Sequence, residues 1–192
     1  MAMALNGIKN DEEALGLLSA GNTGALMVGS IARIGLKQGL SAPVLCSLIP
    51  GPDDTWTALL DCGAHLTPSA SDLVLFAKLG SEFYSSRFNN PSPRVGLLSV
   101  GSEKSKGNAL TLEAHRLLSY SDLNFIGNVE GCDVQNGTCE VITTDGFSGN
   151  VLCKAVEGTA LELLKKIKTV FLTILRFLGF AGDVTGISDE IN

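Results

Sequence analysis

The sequence predicts an α/β chain built on a mostly parallel sheet with helices on both faces. Three observations point there. Strand-like apolar runs alternate with runs of helical periodicity from Leu15 to Phe180. Two junctions share one form, an apolar run, a glycine-bearing turn and a helix start: Leu17-Leu18-Ser19-Ala20-Gly21-Asn22-Thr23-Gly24-Ala25-Leu26-Met27 and Val141-Ile142-Thr143-Thr144-Asp145-Gly146-Phe147-Ser148-Gly149-Asn150-Val151. Finally, 192 residues at 45% hydrophobic and 18% charged content suit a single domain, residues 1–192, with room for a core.

Taken in order, Leu15 to Ser19 reads as a short strand feeding the Gly21–Gly24 turn, and a helix follows from Thr23 to Leu36. Pro43 to Ile49 and Thr55 to Asp61 are strands, joined as a hairpin by Pro50-Gly51-Pro52-Asp53-Asp54. Ser69 to Phe88 carries Leu73, Phe76, Ala77, Leu79 and Phe83 at helical spacing, and Asn89 to Pro93 ends that helix. Arg94 to Val100 is a strand, Lys106 to Ser119 a helix, Leu123 to Val129 a strand and Glu140 to Thr144 another. A long, largely apolar helical segment spans residues 149–180, and 183–192 forms a polar tail.

A net charge of −6 argues against a nucleic-acid surface, which needs clustered Lys and Arg. Five dispersed cysteines without CxxC spacing point to reduced thiols and hence the cytoplasm. The first ten residues lack a signal-peptide pattern. Two histidines far apart and unclustered cysteines give no metal site.

Ligands of open α/β sheets bind beyond the carboxyl ends of the strands. The two strand–turn–helix junctions place helix N-termini there, with free N–H groups and a positive dipole end suited to a phosphate. Asn22, Thr23, Ser148 and Asn150 can donate to phosphate oxygens, and Gly24, Gly146 and Gly149 permit close backbone approach. In the donor-rich loop Gly101 to Asn108, Lys106 supplies a point charge for phosphate or a developing oxyanion. Asn108 and Asp145 are the accompanying candidates for the catalytic pocket. Asp61-Cys62-Gly63-Ala64-His65 is a fourth loop, in which His65 reads as a base or as a capping residue. No P-loop ending and no GxGxxG fingerprint occurs, and no cofactor is indicated.

These motifs, with Asn90-Pro91, Pro93-Arg94-Val95-Gly96-Leu97-Leu98, Lys106-Gly107-Asn108 and Asn124-Phe125-Ile126-Gly127-Asn128-Val129-Glu130, resemble the PlsX family of bacterial phosphate acyltransferases in order and spacing over residues 17–164. The resemblance implies a three-layer α/β/α sandwich of the isopropylmalate dehydrogenase and phosphotransacetylase kind. It implies transfer of a fatty acyl group from acyl carrier protein to inorganic phosphate, giving acyl-phosphate for phospholipid synthesis. It further implies a homodimer held peripherally at the membrane, and Val170 to Phe180 is the segment expected to make the dimer or membrane contact.

The chain departs from the family pattern. It reads as a core without either flank. Ala109 replaces a glutamate, and His65 stands where the family usually has asparagine. Other readings are a related acyl-phosphate enzyme such as phosphotransacetylase, or a non-catalytic interaction module. A nicotinamide-linked dehydrogenase of the same fold is disfavoured by the absent fingerprint.

Overall fold

The computed structural model describes residues 2–177 apart from Glu12, Gln38 and Ser41; the expected tail at 183–192 and the last three residues of the segment Val170 to Phe180 lie outside that range. Two helices come first, α1 (Ala2–Asn10) and α2 (Thr23–Arg33), packed on each other with Leu5 fully buried. Asn22 starts α2 by accepting the Ala25 N–H, the ordinary chemistry of an N-cap. The strand expected at Leu15 to Ser19 is absent. That segment has no ladder partner, and Leu15 and Leu18 are wholly exposed. Leucines at a strand-like spacing satisfy the pattern, but a strand also needs a neighbouring edge.

The Pro50–Asp54 turn joins β1 (Cys46–Pro50) to β2 (Trp56–Leu60) as the expected antiparallel hairpin, with Cys46 opposite Leu60. Helix α3 (Ala70–Phe88) opens with a capping box between Ser69 and Asp72 and stops at Asn89, which is left-handed. Its buried face is Leu73, Phe76, Ala77, Gly80 and Tyr84. The expected Leu79 and Phe83 fall off that face, and Phe83 is 40% exposed. Gly80 takes the place of a larger residue because a Cβ there would sit 2.7 Å from both Leu60 and Val141 side chains.

Next come β3 (Val95–Leu98), α4 (Ala109–Ser119), β4 (Phe125–Val129), a short 3-10 helix (Gly131–Gln135), β5 (Val141–Thr143) and α5 (Gly146–Phe177). The sheet order is β1-β2-β5-β3-β4, and every pair except β1 with β2 is parallel. Rows run straight across the middle: Ala58, Val141 and Val95 in one, Leu60, Thr143 and Leu97 in the next. These residues face α3 and α4 and form the main core with Phe76, Tyr84, Ala114 and Leu118. Leu59 and Ile142 point the other way by strand alternation and are also fully buried. The expectation of an α/β fold on a mostly parallel sheet therefore holds.

The chain divides into two compact units, 1–150 and 151–192. The division falls inside α5. Within the second unit the helix exposes Leu163, Ile167, Val170, Ile174 and Phe177, spaced four and three residues apart. No helix among the described residues is long and apolar enough to cross a membrane.

Candidate active site

Parallel pairing fixes where the chemistry can gather. β2, β5, β3 and β4 all run the same way, so the loops that follow them emerge at one edge of the sheet. Those loops are Asp61 to His65, Thr144 to Asp145, Ser99 to Asn108 and Glu130 onward. β2 and β3 both flank β5, so the first three loops lie within two strand spacings, about 10 Å. The structure thus brings Lys106, Asn108, Asp145, Gly146, Ser148, Gly149 and Asn150 to a common edge. It does not join Asn22, Thr23 and Gly24 to them by any hydrogen bond. Those three are exposed at the start of α2, which packs chiefly on α1.

Several expected phosphate donors are already engaged by the chain. Asp145 accepts the Ser148 N–H at 2.8 Å and so caps α5, which begins at Gly146 and not at Gly149. The Gly146 N–H donates to the His65 carbonyl at 2.8 Å and the Gly149 N–H to the Asp145 carbonyl at 3.0 Å. The Asn150 amide donates to the Cys62 carbonyl at 3.2 Å. Gly146 and Gly149 are helical, not turn-forming, and neither has a positive φ. Their job is contact: a Cβ on Gly146 would lie 2.7 Å from the Asp61 carboxylate, and one on Gly149 only 1.9 Å from the Asp61 carbonyl oxygen. Close approach at these glycines therefore serves the neighbouring loop of the same chain.

The β3–α4 loop is different. Gly107 has φ +120, and a Cβ there would strike Thr111 Oγ1 at 2.0 Å, so the position requires glycine and delays α4 to Ala109. Asn108 caps α4 through its Oδ1, accepting the Thr111 N–H at 3.0 Å, and among the described residues its Nδ2 has no hydrogen-bond partner. The Lys106 side chain is exposed, and its Nζ makes no ion pair or hydrogen bond among the described residues. Buried Asn128 at the end of β4 tethers this loop from beneath, donating to the Glu103 carbonyl at 2.9 Å. Sequence reasoning did not single out Asn128. Its place near the end of a strand expected at Leu123 to Val129 was the available signal.

The loop after β2 holds the most constrained carboxylate. Asp61 is fully buried, and accepts the Leu45 and Ala64 N–H groups at 2.9 Å and the His65 N–H at 2.5 Å. His65 Nδ1 lies 3.3 Å from the same carboxylate. Asp72, at the start of α3, has its carboxyl held below the ordinary range by the Ser69 hydroxyl and backbone N–H. Among the described residues no three His, Cys, Asp or Glu side chains gather as a metal-binding group.

Known proteins bear on this arrangement. The family described as fatty acid synthesis protein matches residues 1–176. A phosphate acyltransferase of Clostridium novyi is 40% identical over 90% of this chain and 52% of its own length. That of Bacillus pumilus is 45% identical over 79% of this chain and 46% of its own. The chain spans about half the length of these curated relatives. Among solved structures, a branched-chain phosphotransacylase from Enterococcus faecalis superposes with a TM-score of 0.57 at 13% identity, covering 81% of this chain and 62% of that one. The EutD phosphotransacetylase from Staphylococcus aureus gives 0.53 at 18%, covering 75% and 49%. At such identities these likenesses speak for the fold alone. The family match and the two close relatives go further, and they agree with the motif order read from the sequence: the chain belongs to the fatty acid synthesis protein family, in which phosphate acyltransferases are its relatives.

Proposed function

We propose that this chain carries the core of a phosphate acyltransferase, moving a fatty acyl group from acyl carrier protein to inorganic phosphate for phospholipid synthesis. The observation that carries the reading is the uncommitted donor set at the carboxyl edge, in a chain whose relatives are phosphate acyltransferases. Lys106 and Asn108 stand just before and at the cap of α4 and Ser148 in the first turn of α5, and among the described residues Lys106 Nζ, Asn108 Nδ2 and the Ser148 hydroxyl make no hydrogen bond. In the reaction a phosphate oxygen attacks the thioester carbonyl carbon, the C–S bond breaks, and the phosphate proton ends on the departing thiol. No protein nucleophile is required; holding phosphate in line with the carbonyl and stabilising the oxyanion are the main demands.

Lys106 meets the second demand, while Asn108 and Ser148 meet the first. Asp145 and Asn150 act by holding the start of α5 and the Asp61 loop in place, with Gly146 and Gly149 allowing the two to touch. Asn22, Thr23 and Gly24 are proposed as phosphate donors from the start of α2. The exposed apolar stripe of α5 supports a peripheral, homodimeric protein, because such a surface needs a cover; a cytoplasmic location goes with it on the dispersed cysteines without CxxC spacing.

The test is phosphate-dependent release of carrier protein from palmitoyl-ACP, with acyl-phosphate trapped by hydroxylamine. Turnover should require phosphate and fall at least about a hundredfold in Lys106→Ala, the scale for removing one oxyanion donor. Phosphate-independent release, or full activity in Lys106→Ala, overturns the assignment. A folded chain that shows no turnover but associates through α5 would favour the interaction-module reading.

A further inference from the structure

We propose that Asn128 and Gly101 are positioning residues that aim Lys106, Asn128 by holding its main chain and Gly101 by seating its stem; this rests on the acyl-transfer reading above and deepens it. The need comes from the side chain itself. Lysine carries its charge on a flexible four-carbon stem, and Lys106 is exposed. A cation stabilises a developing oxyanion well only when it is already in place, so the base of that stem must be fixed.

Asn128 fixes the main chain. Its Nδ2 donates to the Glu103 carbonyl at 2.9 Å and reaches the Lys106 carbonyl at 3.4 Å. The Glu103 carbonyl also takes the Lys106 N–H at 2.9 Å, and the Lys106 carbonyl takes the Ser99 hydroxyl at 3.2 Å. One side-chain amide thus bridges both ends of the turn that presents Lys106. Two carbonyls on one side admit only the NH2 group there, which settles the orientation of the amide. The other end, Oδ1, is buried without a hydrogen-bond partner among the described residues, on a residue only 7% exposed. An orphaned buried acceptor counts against stability. Asn128 is therefore a poor pillar for the fold, and its use is the loop it holds.

Gly101 seats the stem. It is buried just beyond β3, and a Cβ there would lie 2.9 Å from Lys106 Cγ, 3.4 Å from Lys106 Cβ and 3.0 Å from the Glu103 carboxylate. The Lys106 stem lies across a bare glycine, and a methyl group would push it off. Gly101 has no positive φ, so the requirement is for space and not for backbone shape. Two constraints, one from β4 and one from the end of β3, meet on a single residue.

The test is a pair of double-mutant cycles in palmitoyl-ACP turnover, each variant made with and without Lys106→Ala. Asn128→Ala and Gly101→Ala should each lower kcat roughly ten- to a hundredfold, while KM for phosphate stays within about twofold. In the Lys106→Ala background each should cost less than about twofold more, since the group they aim is gone. Amide hydrogen exchange gives a readout without substrate: the Lys106 N–H should exchange faster in Asn128→Ala while the β3 and β5 amides hold.

Equal losses with and without Lys106 would mean damage to the fold, and overturn the role. So would a raised KM for phosphate at unchanged kcat, or full activity in either single variant. Unchanged exchange at Lys106, or an Asn128→Ala chain that does not fold, removes Asn128 from the assignment. Full activity in Lys106→Ala, or no turnover from the folded wild type, sinks the acyl-transfer reading itself, and the positioning role with it.

Discussion

Glycine does two kinds of work in this chain, and substitution separates them. Gly149 stands where a Cβ would be 1.9 Å from the Asp61 carbonyl oxygen, a backbone atom that cannot swing away. Gly149→Ala should destabilise the chain by about 3 kcal/mol, measured as a lowered urea midpoint, because the start of α5 must back off from the loop. Gly158 lies in the same helix with nothing within 4 Å of its Cβ position. Gly158→Ala should instead stabilise by about 0.5–1 kcal/mol through helix propensity. The sequence marks Gly146 and Gly149 for close backbone approach, and the structure shows the Asp61 loop at that distance. Glycine spacing announces a close approach without saying whether a ligand or the chain itself approaches. His65 shows the opposite case. A capping histidine and one oriented by a carboxylate four positions away look alike until the Nδ1 contact with Asp61 is seen.

At the level of elements, β3 and β5 are locked at their amino ends by Arg94 and Glu140. The guanidinium makes bonds of 2.6 and 3.1 Å to the carboxylate and one of 2.9 Å to the Gly137 carbonyl, while the Arg94 N–H adds another at 2.6 Å. Burial pushes the Glu140 carboxyl up, but the Arg94 hydrogen bonds outweigh it and hold the group below its ordinary range. A depressed carboxyl stabilises the fold in full above the ordinary carboxylate range and loses that contribution as pH falls through the lowered value. With Arg94 half exposed, the pair is worth only about 1 kcal/mol. Glu140→Gln should therefore unfold at a lower temperature than wild type at pH 7, and the two melting curves should converge towards pH 3. Most elements were readable beforehand, since hairpin turn, capping box and apolar period are local signals. The false strand at Leu15 to Ser19 and the two expected α3 residues, Leu79 and Phe83, that fall off its buried face share one cause. Both depend on what lies opposite, and a local pattern does not contain its partner.

Across the whole molecule, the buried sheet should declare itself in thiol chemistry. Cys46 and Cys132 are exposed, whereas Cys62 and Cys139 are buried. Burial, aided by the nearby Glu140, pushes the Cys139 thiol up to about 12. A maleimide at pH 8 should label Cys46 and Cys132 in the native chain and reach Cys62 and Cys139 only after denaturation, as read by peptide mass spectrometry. Early labelling of Cys139 would mean that the β5 region opens readily. At this scale the sequence was informative about class, because alternating elements leave few topologies, and about family, because many motifs in order are hard to match by accident. It said little about which donors stay available, since that depends on bonds closed across the sheet edge.

The strand order also sets a timetable for synthesis. β5, the middle of the sheet, leaves the ribosome after both of its neighbours, β2 and β3. Until Val141 to Thr143 emerge, the nascent chain holds a hairpin and a βαβ unit, each with an unpaired inner edge. This three-residue strand closes both at once and carries the start of α5 against the Asp61 loop. Interrupted translation before this point would release two adhesive half-sheets, so the interval between β4 and β5 is when this chain most needs a chaperone.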